Sequence, residues 1–234
     1  YHIFGKAQKV LSHMSEAEFI SYQNNYNLMT NRIDEPDLMV YLRANTDTLI
    51  NRIKKRGRDS EKEVPRDYLE LLNGLYESFV RKHIKCPCLV IDSNNEVEMD
   101  TFLINAAKQI ADKVRELNLR VTAPGLKDWV SMSETDGTLR AIDAERRLED
   151  YLKKNKKLIT VAGNVGLGKS TLTAIMHQSL RIKALYEKPE ANPLLNDFLR
   201  DKKTYCYQLQ KHFLNIRARQ RKAGKRGDYS YVKD

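Results

Sequence analysis

Apolar residues in the first 118 positions alternate between strand-like runs and helix-like spacing. After the breaker Glu35-Pro36-Asp37, residues 38–42 form a short continuous apolar run, and residues 88–92 form a second one. Short runs that are apolar throughout are typical of parallel strands buried on both faces. Helical spacing predicts a first helix ending near Leu11 and further helices over 16–26, 46–55, 68–84 and 101–117.

Two of these predicted helices carry a cap signal. Ser15 is followed by Glu18 at the third helical position, which is a capping-box pattern. Thr46 is the expected cap of the helix that reaches Lys55. Side chains of this type accept a hydrogen bond from a free N–H group in the first turn, so both positions predict a helix start.

The alternation restarts at residue 158, after a stretch of different character. Residues 119–142 are irregular and polar, with turn signals at 124–125 and 136–137, and residues 143–156 predict a charged helix. Residues 158–162 predict a strand that enters a glycine-rich loop. Helices over 169–180 and 204–221 and a strand over 229–233 follow. Strands that alternate with helices predict an α/β fold with a parallel sheet covered on both faces. Only 10 Gly and 6 Pro predict that it is helix-rich.

The amino-acid composition says more about the class of binding partner than about the fold. The 41 Lys+Arg against 31 Asp+Glu give a net charge of +10, which favours an anionic partner such as nucleic acid, an anionic membrane surface or small phosphates. Three cysteines argue against a disulfide framework and for a reducing compartment. No apolar stretch reaches the ~18 residues that a membrane span needs, so none is expected.

Residues 163–170 match the phosphate-binding pattern G-x-x-x-x-G-K-[ST], between a predicted strand and a predicted helix. The glycines let successive N–H groups face one phosphate cluster, and the following helix adds its positive N-terminal end. Lys169 is expected to reach the β- and γ-phosphates of ATP, and Ser170 to coordinate Mg²⁺. The predicted nucleotide-binding residues are Gly163, Asn164, Val165, Gly166, Leu167, Gly168, Lys169, Ser170 and Thr171.

A cluster of cations closes the helix that follows the first strand. Five lie within residues 51–58, and a charged loop that ends at Pro65 follows. Phosphoryl transfer spreads negative charge over the γ-phosphoryl oxygens, which guanidinium groups neutralise. We therefore interpret this segment as a lid over the phosphates rather than as a solvated helix end. In the other half, Glu187 follows an apolar run, where α/β sheets bind ligands, and is a candidate general base.

Together these segments resemble the deoxyribonucleoside kinase family, within the thymidylate-kinase-like P-loop group. The resemblance rests on residues 37–43, 163–170, 186–193 and 210–217, and on the lid at 52–58 with Pro65 and Tyr68. The stretch at 187–193 is most similar to the bacterial deoxyadenosine/deoxyguanosine kinase branch. The resemblance implies a P-loop kinase fold, ATP and Mg²⁺ as cofactors, a deoxyribonucleoside as substrate and a homodimer.

The resemblance also implies roles for individual residues. Glu187 would hold the substrate 5′-hydroxyl, Gln210 would hydrogen-bond to the base, and Arg217 would lie near the base and the catalytic carboxylate. Glu61 would lie near the sugar. The lid cations that would face the phosphates are Arg52, Arg56 and Arg58.

The two halves stand in exchanged order, because in the family the P-loop half comes first. Here residues 1–118 correspond to the lid half and 157–234 to the P-loop half, with 119–156 as a linker or extension. The preferred alignment makes Asp234 the strand-terminal carboxylate of an Asp/Glu-Arg-Ser motif whose Arg-Ser is absent; a second alignment uses Asp228. Three explanations stay open: a circular permutant, a piece of a tandem of two kinase units, and a numbering that joins segments with residues omitted between them.

We therefore predict a deoxyribonucleoside kinase that transfers the γ-phosphoryl group of ATP to a 5′-hydroxyl, with a purine substrate preferred. Glu187 or Asp234 would take the hydroxyl proton, and Lys169 with the arginines of the lid would neutralise the transition state. One alternative is a catalytically inactive nucleotide-binding scaffold, favoured by the missing Arg-Ser and by Leu199, where the family has Tyr. Another is a nucleoside monophosphate kinase, which shares the P-loop and the lid.

The expected partners are ATP and the nucleoside, with neither nucleic acid nor membrane. Nucleic-acid binding is disfavoured because the aromatic residues do not interleave with the basic runs. The expected location is the cytoplasm or an organelle matrix.

Overall fold

The computed structural model describes residues 1–31, 35–58, 61, 64–94, 99–117, 158–180, 183–186, 192–226 and 231–233. Its helices are α1 (Phe4–Val10), α2 (Glu16–Thr30), α3 (Thr46–Arg56), α4 (Arg66–Lys82), α5 (Met99–Leu117), α6 (Lys169–Leu180), α7 (Leu195–Arg200) and α8 (Lys202–Arg226). Its strands are β1 (Leu38–Arg43), β2 (Cys88–Asp92), β3 (Leu158–Gly163), β4 (Lys183–Leu185) and β5 (Tyr231–Lys233). The predicted irregular segment 119–142 and the charged helix predicted over 143–156 lie outside the described residues.

The strands form one parallel sheet in the order β2-β1-β3-β5-β4. Strand β1, from the lid half of the sequence, pairs directly with β3, from the P-loop half, with Leu38 opposite Ile159 and Leu42 opposite Gly163. The predicted parallel α/β fold is therefore confirmed. Strands from both halves of the chain belong to the same sheet.

Helices cover both faces of this sheet. On one face, alternate residues of β1 and β3 pack against α3, α5 and α6 in a core whose members include Leu38, Val40, Leu42, Leu49, Ile53, Ile110, Ile159, Val161, Leu172 and Met176. On the other face, the buried Tyr41 of β1 stacks on Tyr76 of α4, with ring centroids 5.7 Å apart. Among the described residues, none of the helices combines the length and apolar composition needed to cross a membrane.

A second contact between the two halves lies where α1 and α2 meet α8. The Ser21 and Tyr207 hydroxyl oxygens are 2.9 Å apart. The thiol of Cys206 donates to the side-chain oxygen of the buried Gln8 at 3.6 Å. The lid half and the P-loop half are therefore joined by helix packing as well as by the sheet.

Of the two predicted helix caps, one is confirmed and one is wrong. The Ser15 capping box is present: the Glu18 N–H donates to Ser15 Oγ at 3.3 Å, and the Ser15 N–H donates to Glu18 Oε2 at 2.9 Å. The Thr46 cap is wrong. Asn45 has the extended backbone of a cap and accepts from the Thr48 N–H at 2.8 Å, so Thr46 is already the first helical residue.

Several predicted helices also have shifted bounds. Helix α2 ends at Thr30 rather than near residue 26, and α5 begins at Met99 rather than at residue 101. Helix α4 begins at Arg66 rather than Tyr68, directly after Pro65, and it ends at Lys82 rather than at residue 84. Helix α8 extends beyond the predicted 204–221 at both ends. Capping residues and the apolar face predict that a helix exists, whereas the position of its last turn is predicted less accurately.

Labelling of the cysteines tests the contact between the halves. We expect Cys206 to resist alkylation in the native protein, because it is fully buried against Gln8 and burial raises the pKa of its thiol to about 12. Burial also raises the pKa of Cys88, to about 11, so Cys88 should react slowly. Iodoacetamide labelling followed by peptide mass spectrometry measures each site, with the half-buried Cys86 as internal reference. Equal labelling of Cys206 and Cys86 in folded protein would contradict the packing of α8 on α1.

Candidate active site

The phosphate-binding loop lies where β3 ends and α6 begins. Gly163, the last residue of β3, has φ +154°, and Gly166 and Gly168 have φ +83° and +75°. Side chains rarely adopt these values. At Gly163 a Cβ would also lie 2.7 Å from the Leu42 carbonyl oxygen, so the β1–β3 pairing itself requires glycine there.

Lys169 and Asn164 form a hydrogen bond with each other within the loop. The Lys169 ammonium donates to the Asn164 carbonyl at 3.0 Å. The Asn164 side chain is 1% exposed, and its oxygen accepts from the Val165 N–H at 2.8 Å. The loop is therefore held in its curled shape by its own residues, with Lys169 at the start of α6.

Helix α3 packs directly against the loop. A Cβ at Gly166 would lie 3.2 Å from Ile53 Cγ1, 3.4 Å from the Leu49 carbonyl oxygen and 3.9 Å from Arg52 Cβ. The predicted lid helix therefore touches the predicted phosphate loop. This contact brings together two parts of the site that are more than a hundred residues apart in the sequence.

Arg52 occupies the junction between α3 and the end of β2. Its guanidinium donates to Ser93 Oγ at 2.8 Å, and Ser93 is 2% exposed. The Ser93 N–H in turn donates to the Arg43 carbonyl at the end of β1. Arg52 is thus held beside the loop, and its nucleotide-binding role stays a prediction.

The other two lid cations pair with the predicted sugar-binding carboxylate. Arg56 forms an ion pair with Glu61, and Arg58 Nη1 lies 3.6 Å from Glu61 Oε1. Gly57, with φ +67°, ends α3 between the two arginines. The structure brings Arg56, Arg58 and Glu61 together at the start of the lid loop.

The predicted substrate residues Gln210 and Arg217 both lie on α8. Gln210 is 6% exposed, and the Arg217 guanidinium lies 5.9 Å from the centre of the Phe213 ring. Burial raises the pKa of Tyr22 on α2 to about 12, and the positive charge of Arg217 partly opposes this rise. Helices α8 and α2 are in contact, and of the two residues Arg217 acts on a side chain of α2, the phenol of Tyr22.

The family of the chain is decided by comparison with known families. Residues 1–118 and 159–232, well over half of the chain, match the family model described as deoxynucleoside kinase. This chain belongs to the deoxynucleoside kinase family. The resemblance stated from the motifs is confirmed at the level of the family.

Curated members of the deoxynucleoside kinase family show similarity over part of their length. The chain is 29% identical over 123 residues to the deoxyguanosine kinase of Bacillus subtilis, covering 50% of this chain and 58% of that protein. It is 27% identical over 118 residues to the deoxyadenosine/deoxycytidine kinase of the same organism, covering 49% and 54%. It is 33% identical over 90 residues to the mitochondrial thymidine kinase 2 of Homo sapiens, covering 36% and 34%. The chain spans about half the length of the two Bacillus subtilis relatives, and no solved structure matches it.

Two of the residues predicted from the family pattern, Glu187 and Asp234, lie outside the described residues, so their roles stay predictions. Ser170 and Thr171 lie exposed in the first turn of α6, beside Lys169.

Sequence reasoning missed Ser93 as the partner of Arg52 and Asn73 as a partner of Asn164. Both are polar residues next to predicted elements, and only the tertiary contacts distinguish them from surface residues.

Proposed function

We propose that this chain is an ATP-dependent deoxynucleoside kinase that phosphorylates the 5′-hydroxyl of a deoxynucleoside. The observation that carries the proposal is the contact of the phosphate loop with α3, the helix that leads into the arginine lid. A P-loop alone supports nucleotide binding. A P-loop with a cationic lid next to it supports phosphoryl transfer, because the lid can neutralise charge on the transferred group. The two Bacillus subtilis relatives are named as kinases of deoxyguanosine and of deoxyadenosine and deoxycytidine, which supports a deoxynucleoside acceptor. Two of these three nucleosides are purines, which favours a purine substrate.

On this proposal the loop residues bind and orient ATP. The N–H groups of the loop and of the first turn of α6 face the phosphates, and the Lys169 ammonium, with three donors, contacts phosphate oxygens while keeping its bond to the Asn164 carbonyl. Arg52, held by Ser93, adds a fixed positive charge beside the loop.

Mg²⁺ fits this site through Ser170. Among the described residues, no cluster of three or more His, Cys, Asp or Glu side chains could hold a metal ion. Mg²⁺ in kinases uses few protein ligands and completes its shell with phosphate oxygens and water, and the exposed hydroxyl of Ser170 beside Lys169 suits that role. When bound, the ion neutralises charge on the β- and γ-phosphates.

The acceptor is held and deprotonated by residues of the P-loop half. Gln210 and Arg217 bind the base, and Glu187 or Asp234 accepts the proton of the 5′-hydroxyl. Support for these roles comes from the family pattern, from the position of Gln210 and Arg217 on the same helix, α8, and from the burial of Gln210.

Lid closure requires Arg56 and Arg58 to leave Glu61. Ion pairs that are partly open to solvent contribute only about 0–1 kcal/mol, so the phosphates of ATP compete with them easily. The exchange frees Glu61 for the sugar hydroxyl, the role that the family pattern predicts.

We also propose that the two halves form one kinase domain in exchanged order, with residues 119–156 as the connection. The pairing of β1 with β3 supports this, because it places both halves in a single sheet within one chain. The family match also falls in two parts, 1–118 and 159–232. A circular permutant explains both observations more simply than a piece of a tandem, in which each half would need a partner half elsewhere.

A substrate panel tests the proposed function. We expect phosphorylation of deoxyadenosine, deoxyguanosine, deoxycytidine or thymidine by ATP, fastest for a purine, with ADP release and nucleoside 5′-monophosphate as the measured products. The matching deoxynucleoside monophosphates are the comparison, and turnover of these alone would favour a monophosphate kinase. ATP binding with no turnover of any nucleoside would contradict the proposal and favour the inactive scaffold.

A further inference from the structure

The side chain of Asn164 ties the phosphate loop to α4, the helix that follows the lid. Its amide nitrogen donates to the Leu69 carbonyl at 3.0 Å and to Asn73 Oδ1 at 2.9 Å. Its oxygen accepts from the Val165 N–H. Both amide hydrogens and the oxygen are therefore engaged, and the carboxamide orientation is fixed.

Asn73 extends this connection to β1. Its own amide nitrogen donates to the Ala44 carbonyl at 3.2 Å, one residue after β1 ends and just before the Asn45 cap of α3. One side chain on α4 thus contacts the phosphate loop and the connection that starts the lid helix. Leu69 also accepts a hydrogen bond from Asn164, but through its backbone carbonyl. A substitution of the Leu69 side chain would leave that carbonyl in place.

Movement of Asn164 would displace Lys169. The Asn164 carbonyl accepts the Lys169 ammonium, and the next peptide N–H is held by the Asn164 side chain. A rotation of Asn164 therefore moves the lysine and one of the amides that face the phosphates. Misplacement of such groups by a fraction of an ångström to one ångström lowers rates strongly.

We propose that Asn73 is a positioning residue for the nucleotide: it orients Asn164, and through it Lys169, relative to the helices that flank the lid. The proposal rests on the proposed kinase function for its effect on turnover, but its effect on ATP affinity is independent of the acceptor. Asn73 itself touches neither the nucleotide nor the reacting atoms.

The test compares three variants. Asn73→Ala removes the acceptor for Asn164, and we expect the dissociation constant of ATP to rise about five- to tenfold, the equivalent of one hydrogen bond. Asn73→His restores an acceptor, because the ring Nδ1 lies as many bonds from Cα as Asn73 Oδ1, and should return ATP affinity close to the wild-type value above pH 7. Asn25→Ala is the matched control, since Asn25 donates to the Ser21 carbonyl at 2.8 Å within α2, away from the loop.

The readouts separate positioning from a general loss of stability. ATP affinity is measured by isothermal titration, the KM values for ATP and for the nucleoside by initial rates, and the unfolding midpoint by circular dichroism. We expect Asn73→Ala to change the ATP values and to leave the KM of the nucleoside as in the Asn25→Ala control. Equal ATP affinity in Asn73→Ala and Asn25→Ala, or no recovery in Asn73→His, would overturn the proposal. If the wild-type protein binds ATP but phosphorylates no nucleoside, the proposed function fails while the affinity comparison still decides the role of Asn73.

Discussion

Replacing Lys169 by alanine is expected to lower kcat/KM for ATP at least about a hundredfold, the range found when one preorganised donor to developing charge is removed. The ammonium stands at the first turn of α6 and donates to the Asn164 carbonyl, 3.0 Å away, so the loop itself fixes its position. No other residue of the loop carries a positive charge. Initial rates with the best nucleoside of the panel measure the loss.

The control for Lys169→Ala is Lys113→Ala. Lys113 lies on α5 and pairs with Glu116 at 2.8 Å, so its removal deletes a lysine and an ion pair away from the loop. Lys169→Ala should remain folded at the assay temperature with a slightly lower unfolding midpoint, because it loses the hydrogen bond to Asn164. Lys113→Ala should keep its turnover. Near wild-type turnover in Lys169→Ala would contradict the proposed mechanism. Retention of the biological role without turnover would instead favour the nucleotide-binding scaffold.

Local patterns predicted the elements of this fold well. The capping box at Ser15, the apolar runs of β1 and β2 and the strand–loop–helix at 158–180 are all present, because each depends on residues within a few positions of one another. The Thr46 cap failed for the same local reason. Asn45 and Thr46 are both good cap residues, and only the extended backbone at Asn45 decides between them.

The contacts that assemble the site were beyond sequence reasoning. Nothing near β1 or β3 in the sequence indicates that Leu42 lies opposite Gly163, because parallel pairing depends on the whole sheet. The lid arginines were expected to face phosphates, and in the structure Arg56 and Arg58 pair with Glu61, the anion that is nearest in the sequence among those described. The residue type predicted that the lid arginines bind anions, whereas the anion that each one contacts depends on three-dimensional packing.

Replacing Gly163 by alanine is expected to lower the free energy of unfolding by about 2–6 kcal/mol. At φ +154° a side chain introduces backbone strain of about 1–3 kcal/mol. A Cβ would also lie 2.7 Å from the Leu42 carbonyl and 2.9 Å from Leu167 Cδ1, and overpacking of this kind costs about 1–3 kcal/mol. Urea unfolding followed by circular dichroism measures the difference.

Alanine substitutions at two other glycines distinguish backbone strain from steric overlap of the new side chain. Gly168 has φ +75° and nothing within 4 Å of a built Cβ, so Gly168→Ala should show strain alone, about 1–2 kcal/mol. Gly74 lies inside α4 with nothing within 4 Å, and Gly74→Ala should stabilise the protein by about 0.5–1 kcal/mol. The excess loss in Gly163→Ala arises from the Leu42 carbonyl, which belongs to the other half of the chain, together with Leu167 of the loop itself. If Gly163→Ala were no less stable than Gly168→Ala, β1 would not lie against the end of β3, and the joining of the two halves into one site would be wrong.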